Sequence, residues 1–172
     1  MAIRDLIPRL DAAAQRLAGL RRAVEAGNPW RLSTSFGTEP EASWGPPETL
    51  AHVAEMLPFW QGEIERIVDG SGDVVPFGRV ATDELRVRVL ERDRSLPPRE
   101  LFDRIAASAD RVGRRLATLA PTEAARRGLH PRRGQMTVEE VVERFIVEHL
   151  EEHAEQLAAV LASGTGRGTR AT

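Results

Sequence analysis

Apolar residues recur at helical spacing over most of the chain. From Ile3 to about Ala26, the residues Ile7, Leu10, Ala14, Leu17 and Val24 fall close to one stripe, and Gly27-Asn28-Pro29 stops the helix this predicts. A second helix opens at Gly45-Pro46-Pro47-Glu48, where proline suits the first turn and an acid faces the positive end of the helix dipole. It runs to about Asp69 before Gly70, with Leu50, Val53, Leu57, Trp60 and Ile64 as its stripe; Pro58 lies inside it and predicts a kink, because its ring removes the bond to the Ala54 carbonyl. A shorter helix is expected from about Asp83 to Asp93, with Thr82 as its cap. A third long helix follows Ser95-Leu96-Pro97-Pro98, carries Leu101, Ile105, Ser108, Val112, Leu116 and Leu119, and is ended by Pro121. Thr137-Val138-Glu139-Glu140 has the form of a capping box and starts the last helix, whose stripe is Val138, Val142, Phe145, His149, Gln156 or Leu157, and Val160. The stretches 27–45 and 70–78 lack periodicity, and Val74-Val75 is the one strand candidate. The pattern predicts an all-α four-helix bundle with an additional short helix and long inter-helix loops, one domain over residues 1–164, and a flexible Gly-Thr-Arg tail over 165–172.

Composition narrows the chemistry. The 24 basic and 26 acidic residues nearly cancel, so no global field draws the chain to nucleic acid or an anionic membrane. No apolar run approaches the roughly 20 residues of a membrane span, and the charged start Met-Ala-Ile-Arg-Asp leaves no apolar stretch for a signal peptide, so a cytoplasmic location is expected. With zero cysteines there is no disulfide, thiolate metal site or cysteine nucleophile, and any metal must be held by nitrogen and oxygen. Every cationic residue is arginine and tyrosine is absent, which removes lysine and tyrosine as bases or Schiff-base partners.

Against that background the histidines stand out. His149 continues the apolar stripe of the last helix, and His153 follows at i+4, where two side chains are neighbours on one face. Two imidazoles buried without partners cost a few kcal/mol each, roughly, and a shared ion removes that cost. His52 sits at the edge of the second helix's stripe, a position that suits a ligand at the mouth of a cleft and equally an exposed histidine. His130, in the polar stretch Gly-Leu-His-Pro, is assigned to solvent. Glu55, three residues after His52, is the carboxylate best placed to orient an imidazole N–H or to take a proton. No Glu-x-x-His spacing precedes His149 or His153, which disfavours a dinuclear carboxylate centre.

Taken in order, Trp44-Gly-Pro-Pro-Glu48-Thr-Leu-Ala-His52-Val, the Arg92-Asp93-Arg94 run before Ser95, and Met136-Thr-Val-Glu-Glu leading to His149-x-x-x-His153 resemble the DinB-like superfamily over nearly the whole chain. That superfamily includes the thiol S-transferases that use mycothiol, bacillithiol or glutathione. The resemblance implies a four-helix bundle in which His52, His149 and His153 hold a divalent ion, often zinc or nickel, and a low-molecular-weight thiol arrives as cosubstrate. It points to a metal-dependent S-transferase acting on a small electrophile, without nucleic acid or membrane as partner. A metal-dependent hydrolase, with Glu55 as the base, and a non-enzymatic metal-stabilised bundle, assembling as a homodimer through an apolar helix face, are the alternatives. Arg92, Arg94, Arg114 and Arg115 are candidates to bind an anionic cosubstrate, and the loops 27–45 and 70–82 to contact the substrate.

Overall fold

The computed structural model describes residues 2–34, 36, 41–72 and 74–164. The tail expected over 165–172 lies outside the described residues. The chain is all-α apart from one small sheet. Its long helices are α1 (Ile3–Gly19), α3 (Pro46–Asp69), α5 (Pro98–Thr118) and α8 (Glu148–Ser163), with shorter helices α2 (Arg21–Gly27), α4 (Glu84–Asp93), α6 (Pro121–Ala124) and α7 (Val138–Val142) between them. α1 packs on α5 and α8, and α3 packs on α5, α7 and α8, so the long helices close a four-membered ring in the order α1–α5–α3–α8 around the core. Leu6, Leu10, Leu17, Leu50, Met56, Leu57, Ile64, Leu101, Ile146 and Leu150 are fully buried there. Among the described residues no helix is long and apolar enough to cross a membrane.

The stripes read from the sequence of α3 and α5 are the buried faces, and α3 remains helical through Pro58. α1 buries Leu6 and Ala13 beside Leu10 and Leu17, so its inner face is rotated slightly from the expected one, with Ile7 and Ala14 only partly buried. The first helix also divides after Gly19. Leu20 N–H bonds Leu17 at 3.0 Å, a tightened last turn, before Val24 N–H bonds Leu20. The cap of α4 is Asp83, whose carboxylate accepts from Arg86 N–H at 3.0 Å, rather than Thr82.

Two features depart further from the expectation. Val74–Pro76 is a strand, β1, and it has partners: β2 (Arg127–His130) runs parallel to it and β3 (Gly134–Thr137) antiparallel to β2. In β2 the alternation is inverted. Gly128 and His130 face inward while Arg127 and Leu129 face out, so no apolar-in pattern marks the strand. A side chain at Gly128 would collide with Phe77 and Ile67, which explains the glycine there. Arg126, just before β2, donates to the Ile67 carbonyl at 3.0 Å and to the Gly70 carbonyl, tying the sheet to the end of α3. His130 is therefore not in solvent: it is 6% exposed. Its Nδ1 accepts from Arg132 N–H at 3.2 Å, it bonds the Arg79 backbone, and its ring stacks on Phe145 at 5.2 Å.

The last helix is also not one continuous α-helix. After α7, residues Glu143–Val147 form a π-helical turn before α8 resumes. The wider turn places Phe145, Ile146 and Val147 all in the interior.

Candidate metal centre

His52 lies on the second turn of α3, and His149 and His153 on the first two turns of α8, directly after the π turn. These elements face each other, and the structure brings all three imidazoles to one point. His52 Nε2 and His149 Nε2 are 3.0 Å apart, and the ring centroids of the trio are separated by 4.6 to 5.1 Å. His52 and His153 are buried at 3% and 4% exposure, so the edge position of His52 resolves inward.

A fourth group joins them from the long loop before α3. Glu41, in a short 3-10 turn (Glu41–Ser43), places Oε2 3.8 Å from His149 Nε2. One ligand atom from each of Glu41, His52, His149 and His153 lies within 4.8 Å of every other. Sequence reasoning did not single out Glu41, because it sits in a stretch without periodicity and shares no spacing with the histidines. Glu55 is elsewhere engaged: its carboxylate is chelated by the Arg79 guanidinium, which lies 3.6 Å above the Phe59 ring.

Gln156 organises the centre. Its Nε2 donates to the Glu41 carbonyl at 2.7 Å and toward the Trp44 carbonyl at 3.4 Å, so its Oε1 must be the atom facing His153 Nδ1 at 2.9 Å. His153 Nδ1 then carries the proton, and its Nε2 presents a lone pair. That nitrogen is buried and has no hydrogen-bond partner among the described residues. A buried acceptor without a donor is costly, and here it belongs to a cluster of imidazole nitrogens and one carboxylate. The donor set fits a divalent metal ion that prefers nitrogen and oxygen. Gln156 then plays the part of the group that fixes a ligand's tautomer while tying down the loop that carries Glu41.

Electrostatics keep the imidazoles neutral, the form in which they can ligate. Burial pushes His52 well below its ordinary range, helped by His153 and His149. His149 is lowered to about 3 by burial, then by His153 and Arg86. His153 is lowered by burial and partly restored by its bond to Gln156. Arg86, itself buried, is ion-paired to Glu41, donates to the Ala81 carbonyl at 2.9 Å and lies 3.3 Å from His52 Nδ1.

The centre opens into a cavity of about 240 Å³ whose walls include Trp60, Arg79, Arg86, Arg133 and Phe145. Both loops expected to contact substrate contribute, through Glu41 from one and Arg79, Val80 and Ala81 from the other. The four arginines proposed for anion binding do not line it. Arg92 pairs with Asp93, Arg94 with Glu48, Arg114 with Asp110, and Arg115 with Glu65 and Glu123.

Among curated proteins and among solved structures there is no significant match to this sequence. The family model for the DinB superfamily matches residues 32–157, a span that runs from the Glu41 loop through both histidines of α8. With that match over most of its length and a His/Glu group able to hold a metal ion at one end of a helical bundle, the chain belongs to the DinB superfamily.

Proposed function

We propose that this protein is a divalent-metal-dependent S-transferase, loading zinc or nickel on His52, His149 and His153 and using a low-molecular-weight thiol against a small electrophile. The observation that carries the reading is the Nε2 of His153, buried and without a hydrogen-bond partner among the described residues, inside a cluster of neutral imidazoles. A cation there would lower the pKa of a thiol drawn to it and so supply a nucleophile near neutral pH.

The chain's own residues have distinct parts in this scheme. Glu41 Oε2 is the carboxylate oxygen nearest the imidazoles and accepts the thiol proton, while its other oxygen is held by Arg86. Arg86 holds the carboxylate by its ion pair, and its charge adds to the burial that keeps the histidines deprotonated. Glu55 acts through Arg79, holding that guanidinium as part of the cavity wall. Trp60 and Phe145, stacked 4.2 Å apart, supply the aromatic part of that wall.

The test is the metal content of untagged protein by inductively coupled plasma mass spectrometry, beside His149→Ala and His52→Ala. About one divalent ion per chain, lost in both variants, followed by electrophile consumption that requires a thiol, supports the proposal. Metal with thiol-independent turnover redirects it to hydrolysis, and a wild type that neither carries nor is stabilised by zinc or nickel removes it.

A further inference from the structure

Gln156 and Arg86 set two histidines of the centre in opposite ways. Gln156 Oε1 accepts from His153 Nδ1, which leaves His153 Nε2 open to a metal ion. His52 meets the reverse partner: Arg86 Nη2 lies 3.3 Å from its Nδ1, and a guanidinium has only N–H donors to offer. Nδ1 is therefore the acceptor. The ring's proton sits on Nε2, 3.0 Å from His149 Nε2, which accepts it. Turning the ring over would put carbon atoms in both places and forfeit both bonds. The ring is buried, with Trp44 edge-on to it at 5.5 Å. Arg86 is buried as well, and its place does not depend on His52, because the same Nη2 holds Glu41 while Nη1 donates to the Ala81 carbonyl at 2.9 Å.

We infer that Arg86 is a positioning residue that holds His52 in the tautomer unable to ligate, so that metal loading requires Arg86 to give up His52 Nδ1. The inference rests on the metal-binding reading of the three histidines. To turn a lone pair on Nε2 toward an ion, the neutral ring of His52 must carry its proton on Nδ1 instead, and Nδ1–H then faces the guanidinium donor to donor. The ring has the same charge in both tautomers, so the exchange is one of partners rather than of ionisation. A metal-bound histidine ordinarily gives that N–H to a carboxylate, a backbone carbonyl or water. Glu41, held on the same Nη2, is the carboxylate that shares this contact.

Long-range proton–nitrogen NMR spectra of the full-length protein, isotope-labelled at its histidines, tell the two tautomers apart, and His52→Gln identifies the His52 signals. Chelated wild type shows His52 as the Nε2–H tautomer and His153 as Nδ1–H, and added zinc converts His52 to Nδ1–H. In Arg86→Gln, whose amide oxygen can accept, His52 is Nδ1–H before zinc is added. That variant binds zinc about ten-fold more tightly in competition with a chromogenic chelator, the scale on which outer partners of a metal-bound histidine act. The tautomer, read beside the affinity, separates this effect from the mere loss of a positive charge. If Arg86→Gln does not fold, the wild-type spectra decide alone. Nδ1–H at His52 in chelated wild type overturns the inference, as does bound zinc that leaves His52 as Nε2–H, or weaker zinc binding by folded Arg86→Gln. Failure of the metal-binding reading looks different: neither protein takes up zinc, which removes the inference along with it.

Discussion

Replacing Gln156 separates two jobs that one amide performs. In Gln156→Leu, His153 Nδ1 loses its acceptor at 2.9 Å and the carbonyls of Glu41 and Trp44 lose their donor at 2.7 and 3.4 Å. Loss of a group that orients a metal-bound histidine typically costs about 10- to 100-fold in affinity, or roughly 1.4 to 2.7 kcal/mol. The stronger of the two carbonyl bonds is worth about 1 kcal/mol and the longer one less, so metal-free stability should fall by roughly 1 to 2 kcal/mol. For a chain of 172 residues that is a drop in Tm of roughly 2 to 8 °C. Gln156→Glu is the informative partner, because a carboxylate still accepts from His153 but cannot donate to either carbonyl. Competition with a chromogenic chelator gives metal affinity, and thermal unfolding of chelated protein gives the stability. The expected pattern is affinity lost in Gln156→Leu and largely kept in Gln156→Glu, with metal-free stability lowered in both. Unchanged zinc and nickel affinity in Gln156→Leu would refute the assignment of Nδ1 as the proton-bearing atom and His153 Nε2 as a ligand.

Three further outcomes follow from the same geometry. Because burial holds His149 down to about 3, the unfolded chain takes up a proton near pH 6.5 that the native chain refuses, so stability is full above pH 6.5 and is lost as pH falls toward 3. At pH 5 this amounts to roughly 2 kcal/mol from His149, with His52 and His153 acting in the same direction; an unchanged urea midpoint of metal-free protein between pH 7 and pH 5 would contradict it. Glu55→Gln leaves Arg79 without its partner in a pair whose side chains are 13% and 11% exposed, so the Tm should fall with a loss of about 3 kcal/mol or less; reduced turnover at an unchanged Tm would instead make Glu55 the base. Gly78→Ala forces a residue with φ of 81° to carry a Cβ 2.5 Å from His130 Cδ2, and should cost roughly 2 kcal/mol or more in urea unfolding.

What could be read from the sequence was whatever local spacing records. The interiors of α3 and α5 follow from residues three and four apart, and the pairing of His149 with His153 is a property of one helix. What spacing does not record is which loop residue folds back onto them. Glu41 reaches the centre because Gln156 and Arg86 hold its backbone and carboxylate from two other segments, a tertiary arrangement with no periodic trace. The β2 and β3 strands escaped notice for a related reason. Each has four residues, and the inward positions of β2 are a glycine and a histidine, so binary patterning points the wrong way. His130 was assigned to solvent on the polarity of its neighbours, whereas its burial is set by aromatic rings contributed by α3, the π turn and the segment after β1.

The π turn at Glu143–Val147 ties the metal centre to a match between helix geometry and residue count. Its wider turn absorbs one extra residue: deleting one residue as the turn becomes α-helical would leave α8 in phase, whereas restoring α-helical geometry at the same residue count would turn α8 by roughly 100° relative to α7. His149 and His153 would remain four apart and their sequence motif would be untouched, yet both would swing away from His52 together. Possession of the motif is thus separable from possession of the site, and a one-residue deletion that converts the π turn into an α turn should keep the site. Relatives that keep H-x-x-x-H should be judged by the residue count between their capping box and the first histidine together with the helix geometry in between; the count is twelve here, from Thr137 to His149, with a π turn in the interval.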